Sequence, residues 1–339
     1  MEKLFRHGAD PNARDKDGRT PLHSTLDADG DFKISKLLLM RRFLEIGGQK
    51  VDVNVPSSEG TPLHVACQRS YKDNVKLLVA HGADVSALHP PVGGGEGEEE
   101  NNNDSASKIK RSSPLCALIQ SEADTWIIDN EKWDIAYRKY DTLKHLLLHG
   151  AKVHWRGIED GVEMPIVHAI RQGWEKCALL LLIHGSPTDF DLEGRSLLLL
   201  ACKMGMQRLI EALFAVGCRA DEREFAESLL TFHRRRANSL LGRDAPNEMR
   251  SDLMRQSLKM MLRDIEIPDL TEPPSLFEIA VGATLKCLSK SSDGSTLERI
   301  EKLKIPDKIK SYLRFDHLEL DLSNPIFEDD FRHICDLSL

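Results

Sequence analysis

A spacing of 21 residues recurs along this chain and constrains its fold more than any other feature. Thr61, Met164 and Ser196 each stand 21 residues before a glycine: Gly82, Gly185 and Gly217. Within that frame Ala66, Ala169 and Ala201 share one slot, and the apolar pairs Leu78-Val79, Leu181-Leu182 and Leu213-Phe214 share another. The local motifs repeat as well. Gly18-Arg19-Thr20-Pro21-Leu22-His23 returns as Gly60-Thr61-Pro62-Leu63-His64, and His7-Gly8-Ala9-Asp10 returns at 81–84, 149–151 and 184–186. Proline's fixed φ suits the first turn of a helix, and a threonine or serine before it can cap the free amides. The closing glycine suits a left-handed helix end. Each unit is therefore a helix-turn-helix that cannot cover its own apolar face. Neighbours must stack into a solenoid with one continuous core.

Thr-Pro-Leu-His and His-Gly-Ala-Asp in this frame resemble ankyrin repeats. The resemblance implies an all-α solenoid of helix-turn-helix repeats with short β-hairpin tips. We place about five repeats at 17–55, 59–87, 113–155, 163–190 and 193–221, after a half repeat at 1–16, so that 1–221 is one repeat domain. A start inside a second helix, at Leu4-Phe5, leads us to expect an isoform, a fragment or an incomplete gene model. Two repeats carry insertions. One lies around Arg41–Lys50; the other stretches the third repeat and holds Trp126 and Trp133, an apolar content that predicts packing or binding. Residues 89–112, rich in Gly, Glu and Asn, have little to bury and read as an acidic disordered insert. Beyond Asp221 the frame is lost, and Met254, Leu258, Met261, Leu262 and Ile265 make an amphipathic stripe in a helical cap or linker at 222–270. Arg234-Arg235-Arg236 reads as a solvated helix face.

Composition excludes several functions. With 46 Lys and Arg against 54 Asp and Glu the net charge is −8, which disfavours a general nucleic-acid binder. Apolar stretches such as 178–183 and 197–202 are short against the roughly 20 residues a membrane span needs, so no membrane partner is expected. Seven cysteines without a Cys-x-x-Cys pair suggest neither a disulfide framework nor a zinc site, and fit a cytoplasmic protein with the nucleus as a second compartment. No phosphate loop, His-Glu-x-x-His or Gly-x-Ser-x-Gly motif is present. We expect no catalytic residue, no metal and no cofactor. Cys67 and Cys202 read as buried apolar residues, and most of the thirteen histidines as structural.

After Pro273-Pro274 two short helical signals close the chain, at 275–288 and 300–313. A module of about 40 residues is small for independent folding and calls for a partner surface. These residues resemble a suppressor-of-cytokine-signalling (SOCS) box, and the whole chain resembles the ankyrin repeat and SOCS box family of ubiquitin-ligase receptors. The resemblance rests on Ser275-Leu276, Ala280 and Lys286-Cys287-Leu288, then on Leu303-Lys304-Ile305-Pro306, Ile309 and Tyr312-Leu313. It implies that Ser275, Leu276, Ala280, Thr284, Leu285 and Leu288 dock on elongin C of the elongin B/C pair. It further implies that Leu303, Ile305, Pro306, Ile309, Tyr312 and Leu313 recruit a cullin with its RING subunit. Val281 stands where the family usually has Arg, Thr284 where an aliphatic residue is usual, and Lys304 where a proline is. Cullin 5 is the expected cullin, ahead of cullin 2, whose looser pattern Ile305-Pro306, Ile309 and Leu313 also suit. The box would span 271–315, with a tail at 316–339.

The function expected from this order is a non-enzymatic adaptor. Its repeats would hold a protein target, and its box would recruit the elongin B/C-cullin-RING ubiquitin ligase. The alternatives are a non-ligase ankyrin scaffold, with residues 275–313 simply capping the solenoid, and, more weakly, an enzyme. Hairpin tips and inner helices form the expected target surface, with Arg14, Lys16, Trp126, Trp133, Trp155, Arg156 and Phe190 as candidate anchors, since Trp and Arg are common energetic anchors of interfaces.

Overall fold

In the computed structural model the described residues are 2–27, 33–89, 112–121, 132–153, 164–188, 196–241, 247–264, 278, 280–281, 283–285 and 296–314. They are mostly helical. Among them no β-strand forms; the tips are turns with two isolated antiparallel bridges, Ser57 to Gly60 and His89 to Ser112. The chain divides into two compact units, 1–165 and 166–339.

In the first unit α1 (Glu2–Arg6) precedes the pairs α2 (Pro21–Asp27) and α3 (Lys33–Gly47), α4 (Pro62–Gln68) and α5 (Lys72–Ala80), and α6 (Pro114–Gln120) and α7 (Lys132–Leu148). α2, α4 and α6 pack in sequence as an inner layer, and α1, α3, α5 and α7 as an outer one. Each inner helix begins at the proline the repeat frame predicts. Ser113 Oγ caps α6 by accepting from Cys116 N–H at 3.3 Å. At Thr20 and Thr61 the cap is imidazole instead: Thr61 N–H donates to Nδ1 of His64 at 3.3 Å, and the threonine hydroxyl lies 2.9 Å from the same nitrogen. The insertions in the first and third repeats are taken up partly by longer outer helices. α3 has 15 residues and α7 has 17, against 9 in α5.

The second unit continues the pattern with α8 (Pro165–Arg171), α9 (Glu175–Ile183), α10 (Leu197–Met204) and α11 (Gln207–Ala215), followed by a hairpin of two longer helices, α12 (Glu222–Leu241) and α13 (Asn247–Asp264). Short helices at Thr296–Lys302 and Asp307–Leu313 end the described chain. α12 packs on α10 and α13 on α12, so the hairpin covers the last repeat. Of the stripe read as a cap, Met254 and Leu258 are half-buried, and Arg234 and Arg235 are exposed. The side chains at 261–262 and residue 265 lie outside the described residues.

The core is the one the frame demands. Leu63, Ala66, Leu78, Ala169, Leu181, Ala201 and Leu213 have no exposed surface, and the side chains of Cys67, Cys116, Cys177 and Cys202 are buried. Burial pushes the Cys202 thiol up to about 12, and the Cys67 thiol rises for the same reason, so neither offers a thiolate. A second backbone ruler accompanies the first. Ser70, Gly173 and Gly205 stand nine residues after Thr61, Met164 and Ser196, and all three have positive φ, at 53°, 79° and 67°. Two of these turns use glycine. Ser70 is the exception, and its buried hydroxyl lies 2.9 Å from Ser121 Oγ, which ties this strained turn to the next repeat.

Candidate protein-binding surface

The tips of the first unit are held by a ladder that runs from repeat to repeat. Asn12 Nδ2 donates to Lys50 O at 2.8 Å, and its Oδ1 accepts from Asp52 N–H at 2.9 Å. Asn54 repeats the clamp on Gly82 O at 3.1 Å and Asp84 N–H at 2.7 Å. Ser86 Oγ then accepts from Lys152 N–H at 3.1 Å. The aspartates two residues earlier fold each turn, Asp10 onto Asn12 N–H, Asp52 onto Asn54 N–H and Asp84 onto Ser86 N–H. Sequence reasoning missed these clamps. Their signal is the spacing Asp10-x-Asn12, Asp52-x-Asn54, Asp84-x-Ser86, which recurs as regularly as the helix motifs.

Behind the tips a second series of bonds runs through the histidines of the Thr-Pro-Leu-His motif. His23 Nε2 donates to Gly60 O at 3.1 Å, and His64 Nε2 donates to Ser112 O at 3.3 Å. Because Nδ1 serves the helix cap, each ring is the neutral Nε2–H tautomer. Burial is the main cause that lowers both pKa values, and it holds His64 at about 4 with help from neighbouring His89. His89 and Ser112 pair through hydrogen bonds of 2.9 and 2.7 Å, which close the neck of the acidic insert. The insert itself, 90–111, lies outside the described residues. On the outer layer Asp141 of α7 pairs with Lys72 at 2.8 Å and Lys76 at 3.1 Å on α5. Burial there opposes the carboxylate, but the two ammonium groups hold its pKa below the usual range.

Of the candidate anchors, Arg14 and Lys16 are exposed on a tip. Arg14 lines an open cavity of about 490 Å³ whose walls include Phe5, Pro21, Leu39 and Phe43, with Asp10 and Asp15 at the polar side. Trp133 belongs to α7, but its side chain, like residues Trp126, Trp155, Arg156 and Phe190, lies outside the description. Among the described residues no group of three or more His, Cys, Asp or Glu converges as a metal site would require. No described helix is long and apolar enough to cross a membrane.

In the second unit the C-terminal residues expected to dock on elongin C divide between two faces. The described residues between 278 and 285 are helical. Val281 and Leu285 are buried at 3% and 2% exposure, whereas Ala280 is exposed and Thr284 half-exposed. Leu285 thus faces into its own unit. Ser275, Leu276 and Leu288 lie outside the described residues. Among the residues expected to recruit a cullin, Pro306 and Ile309 are exposed, Leu303 and Ile305 half-buried, and Leu313 buried; the Tyr312 side chain is not described.

Comparison with known proteins agrees with this architecture over part of the chain. Residues 1–88 match the family model for ankyrin repeats, in three copies. The mouse (Mus musculus) B-cell lymphoma 3 protein homolog is 26% identical over 219 residues, which are 60% of this chain and 45% of that protein. An Arabidopsis thaliana protein named as a candidate E3 ubiquitin-protein ligase, XBAT34, is 35% identical over 92 residues, 27% of this chain and 23% of its own length. The match thus spans less than half the length of these relatives. The family model places ankyrin repeats at residues 1–88, where the repeat ruler and the helix pairs agree with it, and such repeats suggest a scaffold for protein-protein interaction.

Proposed function

We propose that the protein is a substrate-recognition adaptor of an elongin B/C-cullin-RING ubiquitin ligase, with the repeats holding a target protein and the C-terminal helices recruiting the ligase. The observation that carries this reading is what the C-terminal helices leave uncovered. Ala280 and Thr284 lie one helical turn apart on the outward side of their helix, following the Ser275-Leu276 start. The segment 303–309 then offers Leu303, Ile305, Pro306 and Ile309, with Ile309 38% exposed. The XBAT34 relative supports it weakly, since its match is confined to about a quarter of the chain. In this arrangement the adaptor makes no bonds; it raises the concentration of target lysines beside charged ubiquitin.

The test is co-expression with elongin B/C. Leu276→Asp should abolish co-purification by placing a charge in an apolar pocket, while the repeats stay folded because stacking is a nearest-neighbour property. Elongin C that still co-purifies with this variant would sink the assignment. Competition between the N-terminal domains of cullin 5 and cullin 2, each with its RING partner, then reads cullin choice. Cullin 5 is expected to win, and Lys304→Pro should strengthen it by stiffening the segment before docking. A plain ankyrin scaffold is the second reading. It is favoured by the burial of Val281, Leu285, Ile300 and Leu313 within their own unit, which is what a cap would show.

A further inference from the structure

The C-terminal residues return, across the whole α12–α13 hairpin, to the end of the last repeat. There Arg219, two residues past the closing Gly217, meets Glu278 head-on. Arg219 Nη2 lies 3.0 Å from Glu278 Oε1 and 2.9 Å from Oε2. Arg219 Nη1 is meanwhile anchored on the neighbouring carbonyl of Cys218 at 2.9 Å, so the guanidinium is aimed before it meets the carboxylate. Both side chains are mostly withdrawn from water, at 15% and 18% exposure, where an ion pair is stronger and less screened than at the surface. Glu278, Val281 and Leu285 fall at i, i+3 and i+7, one stripe of the helix, and the two apolar members are nearly fully buried. The closing turn one repeat earlier differs from its counterparts. His184 occupies the position held by His7, His81 and His149 in the other closing turns. Those three are exposed, whereas His184 is 4% exposed and lies within electrostatic range of Arg299 on the helix Thr296–Lys302.

We infer that Arg219 and Glu278 form a latch that seats the helix at 278–285 on the end of the last repeat, within the second unit. Arg219 is a positioning residue: it fixes where the outward face at Ala280 and Thr284 points relative to the repeats. The repeat frame does not require it, because the two earlier fully framed repeats have no arginine there: Ala83-Asp84 and Ser186-Pro187 stand where Cys218-Arg219 does. The seat stands without the ligase reading. Its consequence, an elongin-docking face held in one orientation on the second unit, rests on that reading.

The experiment is hydrogen exchange by mass spectrometry on the full chain, comparing wild type, Arg219→Glu, Glu278→Arg and the double charge swap. Each single variant should speed exchange across 278–285 by about tenfold or more while α10 and α11 keep their protection, and the swap should restore it to within about threefold. Unchanged exchange in both singles, a swap that fails to restore protection, or loss of protection spread equally through α10 and α11 would overturn the latch. Binding to purified elongin B/C is measured on the same samples. Affinity in Arg219→Glu should stay within about threefold of wild type, because the outward face is untouched; a gain of about tenfold would mean that the pair conceals the docking face, and would overturn the positioning role. Absence of elongin binding by the wild type would count against the ligase reading alone, with the exchange data still deciding the latch.

Discussion

Acidification from pH 7 to pH 5 should loosen the first unit through His64, and the size of the effect follows from the site. The ring is 3% exposed, spends Nδ1 on the α4 cap and donates Nε2–H to Ser112 O. Burial, reinforced by His89, lowers its pKa to about 4, whereas an unfolded histidine titrates near 6.5. The unfolded chain therefore binds the proton first. The stabilising contribution is fully present above pH 6.5 and is lost as pH falls toward 4. Linkage over that offset makes the loss between pH 7 and pH 5 about 2 kcal/mol for this one residue. Protonation of Nδ1 would also replace an acceptor of the Thr61 N–H with a second donor, which breaks the cap. The assay is urea unfolding at both pH values, with hydrogen exchange of the α4 amides locating the change. His64→Gln removes the titration, so it should lower stability at pH 7 yet flatten the pH dependence by about 2 kcal/mol. If His64→Gln keeps the full pH dependence of the parent, the buried-imidazole argument is refuted.

Other substitutions probe the remaining joints. Asn54→Ala removes both inter-repeat bonds of a solvent-exposed clamp and should cost about 0.5–1.5 kcal/mol in denaturant unfolding, with Asn54→Asp, which keeps the acceptor, losing less. Gly205→Ala places a Cβ against the Phe232 ring at a φ of +67°; left-handed strain plus overpacking should cost about 2–4 kcal/mol and lower the melting temperature of the second unit by several degrees. Glu175→Ala deletes the buried carboxylate that accepts from Leu209 N–H in the first turn of α11 at 3.0 Å, and should cost about 1–3 kcal/mol, read as lost exchange protection in α11. Deleting residues 93–107 of the insert should leave the melting temperature within a few degrees, because its His89–Ser112 neck can still close.

The helical scaffold was legible because each repeat must solve the same local problem. Proline starts, hydroxyl or imidazole caps and left-handed glycines are local chemistry, and the frame located inner helices at Pro21, Pro62, Pro114 and Pro165. What escaped was chemistry between repeats. Asn12 and Asn54 look like ordinary turn residues until their amides are seen to reach 38 and 30 residues onward. Ser70 hides in the same way, since its left-handed φ is borne by a residue that sequence reads as unremarkable. The candidate surface was legible only in part. Charge and aromaticity single out residues that could contact a target, but exposure is decided by packing, and for the C-terminal helices packing divided one motif between two faces.

That division bears on how a capping role and a docking role can coexist. A short helix packed on a repeat end has one stripe to bury, and here Glu278, Val281 and Leu285 supply it. The residues one step around the helix, Ala280 and Thr284, are small, so they leave the adjoining face shallow rather than filled. A second protein can approach such a face closely without displacing the first contact. Sealing the end of the solenoid and presenting a docking face are then two sides of one helix, and the ion pair at Arg219 is what keeps each side turned the right way. Loss of the inward stripe, as in Leu285→Asp, should therefore unseat the helix and abolish exchange protection at 281–285, whereas Ala280→Asp should weaken elongin B/C binding and leave that protection intact. Equal loss of protection in both variants would show that the two faces are not separable.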